Sequence, residues 1–388
     1  MNNDFLFEGS LYGKVLNKIG FGGQTMKIQV ARVLFFLAIC WVPLVVLTLL
    51  EHSFWTGSAK NSFITNFDTQ ARFLISMPIL ILAERIISPK LALTLNQFIS
   101  SGIVPKEEVS SFRKIIETKT AFLRSVKTDL VLLLICYVQV IIVIFWERDY
   151  TSMLSWQTHT VDGATRLNMA GIWNAAISRP LMVFLFYRWL LRIIVWSLIL
   201  RKISSLNLDL FAIHPDQVGG LGFLGYSIRN FSPIAFAISA TVAGNMADFI
   251  NSGGTHLANL RMPTGGYLIF IVVLFTLPLM SFSAKLMDTR EKNILEIYNY
   301  ANGMYRELRK KLSKGYENVN ADDLRQQDFS TIADMNDSVK GALSMKFFPF
   351  TIRDLIPLLV SAAIPFLFVA MMEVPLSEIL KKLLSLVA

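Results

Sequence analysis

The chain has 388 residues, 53% of them hydrophobic, a mean hydropathy of +0.50 and a formal net charge of +9. That composition excludes an ordinary soluble domain, and the apolar residues fall in blocks of about 17 to 23 residues, the length that crosses a bilayer as helix. The positive charge does not point to nucleic acid, because no zinc-ligand spacing, RNP-like segment or basic recognition helix accompanies it. In a membrane protein such charge gathers on cytoplasmic flanks and near anionic headgroups.

The expected fold is an all-α polytopic transmembrane bundle of about seven spans, a single membrane domain whose first partner is the lipid bilayer. The first span is predicted over 31–50, with Pro43 in mid-span; lipid tolerates such a proline when neighbours re-satisfy the carbonyl it frees, so a kink is expected there. The second covers 71–87 and contains Pro78, Glu84 and Arg85; the third covers 130–146; the fourth covers 180–200 with Arg188 and Arg192 in its middle. The fifth, 232–250, carries Asn245 and Asp248, so whether it crosses fully is open at this point. The sixth is predicted over 266–282 and the seventh over 355–372, with Pro357 and Pro365.

Lysine and arginine set the orientation. Lys14, Lys18, Lys27 and Arg32 precede or open the first span, a cluster from Lys90 to Lys127 follows the second, and Arg201, Lys202 and Arg229 follow the fourth. The connections 51–70 and 251–264 carry only Lys60 and Arg261, which places the N-terminus in the cytoplasm. No cleavable leader is visible, so the first span serves as its own signal anchor, and the expected location is a bacterial cytoplasmic (inner) membrane.

Two cytoplasmic helices are predicted. Over 105–128, Pro105 opens a stripe of Val109, Phe112, Ile116, Leu123 and Val126 at helical spacing that leads straight into the third span. Over 284–312, Met287, Ile294, Tyr298, Ala301, Tyr305, Leu308 and Leu312 form a near-heptad stripe, expected to pack on the first cytoplasmic helix, with a separate oligomerisation coil as the alternative. The polar stretch 315–337 reads as a loop, and the amphipathic end 374–388, with Lys381 and Lys382, reads as lying at the outer interface. No internal repeat is apparent.

The most specific string is His214-Pro215-Asp216-Gln217-Val218-Gly219-Gly220-Leu221-Gly222-Phe223-Leu224-Gly225. Its glycines, Gly219, Gly220 and Gly222 foremost, expose backbone amides that can form an anion-binding nest, and His214 with Asp216 brackets a proline as a hydrogen-bonded or metal-binding pair, or as a brace for the loop. A second signal is charge inside spans, which is costly and normally faces protein or water. Arg188 and Arg192 share a helix face; Glu84 and Arg192 fall 13 and 12 residues inward from the outer ends of their spans, so a Glu84–Arg192 pair is expected, leaving Arg188 without an obvious acidic partner. Arg72 and Asp248 fall near the outer surface, where a salt bridge between them would be weak and mostly architectural. His52, His159 and His256 sit one in each outer connection without metal-ligand spacing, and Cys40 and Cys136 lie inside spans. No catalytic constellation, metal centre or cofactor is expected.

The segments ARFLISMPILILAE with NQFISSGIVP, YRWLLRIIVW leading into HPDQVGGLGFLG, and FFPFTIRDLIPLLVSAAIPFL resemble, in this order, a widespread and functionally uncharacterised group of bacterial multi-pass membrane proteins. The resemblance implies Arg72, Glu84, Arg188, Trp189, Arg192 and the loop His214 to Gly225 as motif positions, and implies no activity. Two functional classes follow from the residues: a homo-oligomeric conduit for a small ion or solute, anions favoured by the sign of Arg188 and Arg192, or an anchored signalling or effector protein that binds a partner through its cytoplasmic helices and Gly-rich loop. An enzyme would need a pocket holding His214 and Asp216.

Overall fold

The computed structural model describes residues 11–18, 20–21, 23, 25–58, 61–147, 155–161, 164–313 and 326–374. In chain order the helices are α1 (Leu11–Lys18), α2 (Met26–Cys40), α3 (Val42–Leu50), α4 (Phe67–Gln70), α5 (Met77–Ser100), α6 (Val109–Arg124) and α7 (Val126–Glu147). A short hairpin follows, β1 (Thr158–Val161) and β2 (Ala164–Leu167), antiparallel with Thr158 opposite Leu167. Then come α8 (Met169–Trp173), α9 (Arg179–Ser204), α10 (Gly225–Asn230), α11 (Ser232–Asn251), α12 (Leu257–Thr276), α13 (Ser283–Ser313), α14 (Gln326–Leu343) and α15 (Ile352–Met371).

The protein is an all-α multi-pass membrane bundle. Among the described residues, six helical stretches are long and apolar enough to cross a membrane: 26–50, 126–143, 169–204, 222–251, 257–276 and 352–371. The remaining predicted span lies in the helix from Phe67 to Ser100, which runs the length of the bundle but carries Arg72, Glu84, Arg85 and Lys90. Its start meets Asp248 at the end of α11, and Phe98 near its finish packs on Phe223 and Phe282 at the other end. The fifth predicted span is one unbroken helix, α11, and the sixth begins earlier than predicted, at Leu257, where Glu373 accepts from the Leu257 amide, and ends at Thr276 ahead of Pro278.

The prolines are accommodated as lipid requires. Pro43 has no N–H for the Ile39 carbonyl; the chain breaks at Trp41 between α2 and α3, and the Trp173 indole donates to Ile39 O (3.1 Å) while Ser178 Oγ donates to Cys40 O (2.8 Å). Pro180 likewise leaves Ala176 O short of its donor, and the Tyr137 hydroxyl supplies one at 3.1 Å. The helices leading into α5 and α9 begin alike. An asparagine caps each, Asn66 on the Thr69 amide and Asn168 on the Gly171 amide; a π-helical segment follows, 71–76 and 174–178, and Pro78 or Pro180 restarts the α-helix.

Several expectations are corrected. The helix predicted over 105–128 is interrupted at Ser125, whose extended backbone (ψ 126°) turns the chain between α6 and α7; its apolar stripe is nevertheless inward, with Phe112, Ile116 and Leu123 buried. The stretch 315–337 is not a continuous loop: residues 326–343 form α14, where Ile332, Val339 and Ala342 sit at helical spacing among the polar residues. The long helix α13 packs on α14 rather than on α6, with Tyr305 donating to Asn336 (2.7 Å). The segment predicted at the outer interface lies, from 375 onward, outside the described residues.

Candidate functional site

The two arginines of α9 are both neutralised inside the bundle. Arg192 Nη2 lies 2.5 Å from Glu84 Oε1, the pairing expected from their common depth. Trp189 clamps the same two helices, donating to Leu80 O at 2.9 Å, and its ring lies 4.6 Å from the Arg192 guanidinium carbon. Arg188 is not the free cation that the sequence suggested. Its Nη1 lies 2.9 Å from Oδ1 of Asp129 in the first turn of α7, and only 6% of Arg188 and 2% of Asp129 are exposed. Asp129 just precedes the apolar block 130–146, and a long arginine side chain carries its charge well along the helix from its own Cα to reach it.

Arg72 and Asp248 also sit differently from the expected salt bridge. Arg72 pairs with Asp68 one turn earlier at 2.8 Å, while Asp248 accepts from the Phe67 amide at 2.7 Å and from the Asn66 side chain. Asp248 thereby fastens α11 to the start of the Phe67 helix, next to Gly244, where an added Cβ would fall 2.6 Å from Ala71 Cβ. Ser76 completes the seam, donating to Ala237 O at 2.7 Å.

At the basic end the Gly-rich loop does form a nest of amides, and the anion in it is the loop's own carboxylate. Asp216 Oδ1 accepts from Val218 N (2.9 Å) and Gly220 N (3.1 Å), and Oδ2 from Gly222 N (2.8 Å). Gln217, Gly219 and Gly220 all have positive φ, which turns successive amides inward. His214 Nδ1 adds a contact of 2.8 Å to Oδ1. Partial burial pushes the Asp216 carboxyl up, but the three amides and His214 outweigh it and hold its pKa below the ordinary carboxylate value.

The segments that carry the motif strings meet around this loop. Ile103 touches the Cβ position of Gly220, Leu286 and Met345 that of Gly219, and the Lys346 amide donates to Gln217 O at 2.7 Å. Asp354, absent from the sequence-level candidates, joins α10 to α15. It closes a capping box with Thr351, accepting from its amide and its hydroxyl at 2.8 Å each, and takes Arg229 Nη2 at 2.7 Å. A Cβ at Gly225 would lie 2.5 Å from Asp354 Oδ2, so only glycine lets α10 approach this carboxylate.

Among the described residues no three His, Cys, Asp or Glu side chains converge on a metal position; His256 faces Glu373 (3.5 Å) and His52 ends α3 with φ 57°. Through Leu286 and Asn293, α13 touches the loop and the residues before it; further along it runs against α14, leaving Leu295, Tyr298 and Tyr300 exposed. Comparison with protein-family models, with curated proteins and with solved structures finds no match to this chain.

Proposed function

We propose that this protein is a membrane-anchored signalling or effector protein of a bacterial inner membrane, and that it binds a protein partner at the cytoplasmic face through the α13–α14 hairpin. The observation that carries this reading is the exposure of large apolar residues on α13, with Leu295 and Tyr298 on one face and Tyr300 on another. Leu295 is 66% exposed, Tyr300 67% and Tyr298 43%, on a helix of 31 residues that packs mainly on α14. Exposed aromatic and aliphatic residues gathered on one polar helix mark interaction surfaces more often than chance exposure does. The self-filled Gly-rich loop then serves as the brace that joins hairpin and bundle, through Leu286, Met345 and Lys346.

A second reading, a conduit for a small ion, anions favoured, draws on the two buried ion pairs one turn apart on α9, since intramembrane charges commonly mark ion paths. It loses the unpaired cation that would attract an anion. The test is site-specific photo-cross-linking in cells from positions 295 and 298. A discrete heavier adduct is expected, the one from 295 abolished by Tyr298→Asp and the one from 298 by Leu295→Asp in protein that remains folded; no adduct from either position in folded protein overturns the reading.

A further inference from the structure

The third spanning helix, α7, is attached to the bundle along one narrow line, Asp129, Cys136 and Val140. On its exposed side lies Gln139, ten residues beyond Asp129 and well inside the spanning stretch 126–143. The Tyr187 hydroxyl donates to Gln139 Oε1 at 2.6 Å, which satisfies one lone pair; among the described residues nothing accepts from the Gln139 amide group. An exposed carboxamide with idle donors in mid-span is unfavourable against hydrocarbon, where no water can take them up. Beside it opens a cleft of about 230 Å³ lined by Val183, Phe186, Ile238, Thr241 and Val242, between α7, α9 and α11.

We propose that this face joins two copies of the chain about a twofold axis beside Gln139. A carboxamide is self-complementary: each Nε2 donates to the partner copy's Gln139 Oε1, whose second lone pair is still open while Tyr187 holds the first. Twofold symmetry makes the two bonds equivalent and closes the assembly at a dimer. Ile135 and Ile142 lie on the same helix face as Gln139 and are exposed, so each copy offers apolar side chains to the other's cleft. Interhelical carboxamide bonds of this kind hold spanning helices together where the hydrophobic effect cannot. The pairing is independent of what the α13–α14 hairpin binds.

The experiment uses the full-length protein in liposomes. Fluorescently labelled copies are mixed at decreasing protein-to-lipid ratio and energy transfer is followed for the parent, Gln139→Leu and Tyr187→Phe. Gln139→Leu is expected to weaken self-association about tenfold, and Tyr187→Phe to weaken it less. In parallel, Ile135→Cys, Gln139→Cys and Ile142→Cys are oxidised, with the parent as the blank because Cys40 and Cys136 are buried. Disulfide dimers are expected from all three and not from Ile141→Cys, which faces the other way. The proposal is overturned if the parent stays monomeric at every ratio, if Gln139→Leu associates as well as the parent, or if Ile141→Cys cross-links as readily as Gln139→Cys. Quenching at position 139 by brominated acyl chains as strong as at Leu134 also overturns it, because lipid then occupies the cleft.

Discussion

Asp129 holds Arg188 at 2.9 Å inside the bundle, and Glu84 holds Arg192 one turn further along α9. Each arginine therefore fixes a different helix to α9, α7 in one case and α5 in the other, and neither charge is left for a permeating anion. A buried pair need not stabilise relative to apolar replacements of both partners, but removal of one partner strands the other. Asp129→Ala and Arg188→Ala are each expected to lower stability by about 3 to 5 kcal/mol, and the double substitution Asp129→Leu with Arg188→Met to recover most of it. Thermal unfolding of the four proteins in one detergent measures this.

The kink at Pro43 yields a sharper test. Trp173 supplies the donor that Pro43 cannot give to Ile39 O, so Trp173→Phe is expected to cost about 1 to 3 kcal/mol by orphaning a part-buried carbonyl within the spanning stretch 26–50. In a Pro43→Ala background the residue 43 amide can serve Ile39 O, and the same Trp173 substitution should cost distinctly less. Equal costs in both backgrounds, read from unfolding midpoints, would show that the indole bond carries no weight.

Gly225 and Asp354 form a steric pair. Gly225→Ala should destabilise by about 1 to 3 kcal/mol, since the new methyl falls on Asp354 Oδ2. With Asp354→Ala the cap and the Arg229 pair are lost, but the added cost of Gly225→Ala should nearly vanish. Additive effects in this cycle would contradict the contact.

How much of this was legible in the sequence depends on the distance over which residues act. The spans, the kink at Pro43 and the inward face of α6 follow from local pattern, and the Glu84–Arg192 pair follows from counting depth along two spans. Asp129 is not legible in the same way, because it lies just outside the apolar block 130–146 that marks the third span. The nest of amides was readable from Gly219, Gly220 and Gly222, whereas its occupant, Asp216, emerges only from the turn geometry at Gln217 and the glycines. Asp354 against Gly225 joins segments far apart in the chain, and no pattern at either site announces the other. The helix α14 was hidden by its Asp, Asn and Gln residues, which mimic a loop when the apolar positions between them are few.

The Asp216 nest predicts a pH dependence. Because the folded loop holds this carboxyl below its ordinary value, ionisation stabilises the fold fully above that ordinary value, near 4, and the contribution is lost as pH falls through the lower, folded pKa. Hydrogen exchange at the Val218, Gly220 and Gly222 amides should therefore stay protected from neutral pH to about 4 and weaken only in stronger acid. Asp216→Asn should lose that protection at neutral pH.

Ion flux into liposomes containing the folded protein, under chloride and potassium gradients, with Arg188→Ala and Arg192→Ala beside the parent, tests most directly whether these arginines are clamps. The expected result is flux no greater than through empty liposomes for the parent, with both substitutions changing only thermal stability. Flux through the parent that falls or changes selectivity in Arg188→Ala would contradict this, and would show that the Asp129–Arg188 pair opens onto a path through the bundle.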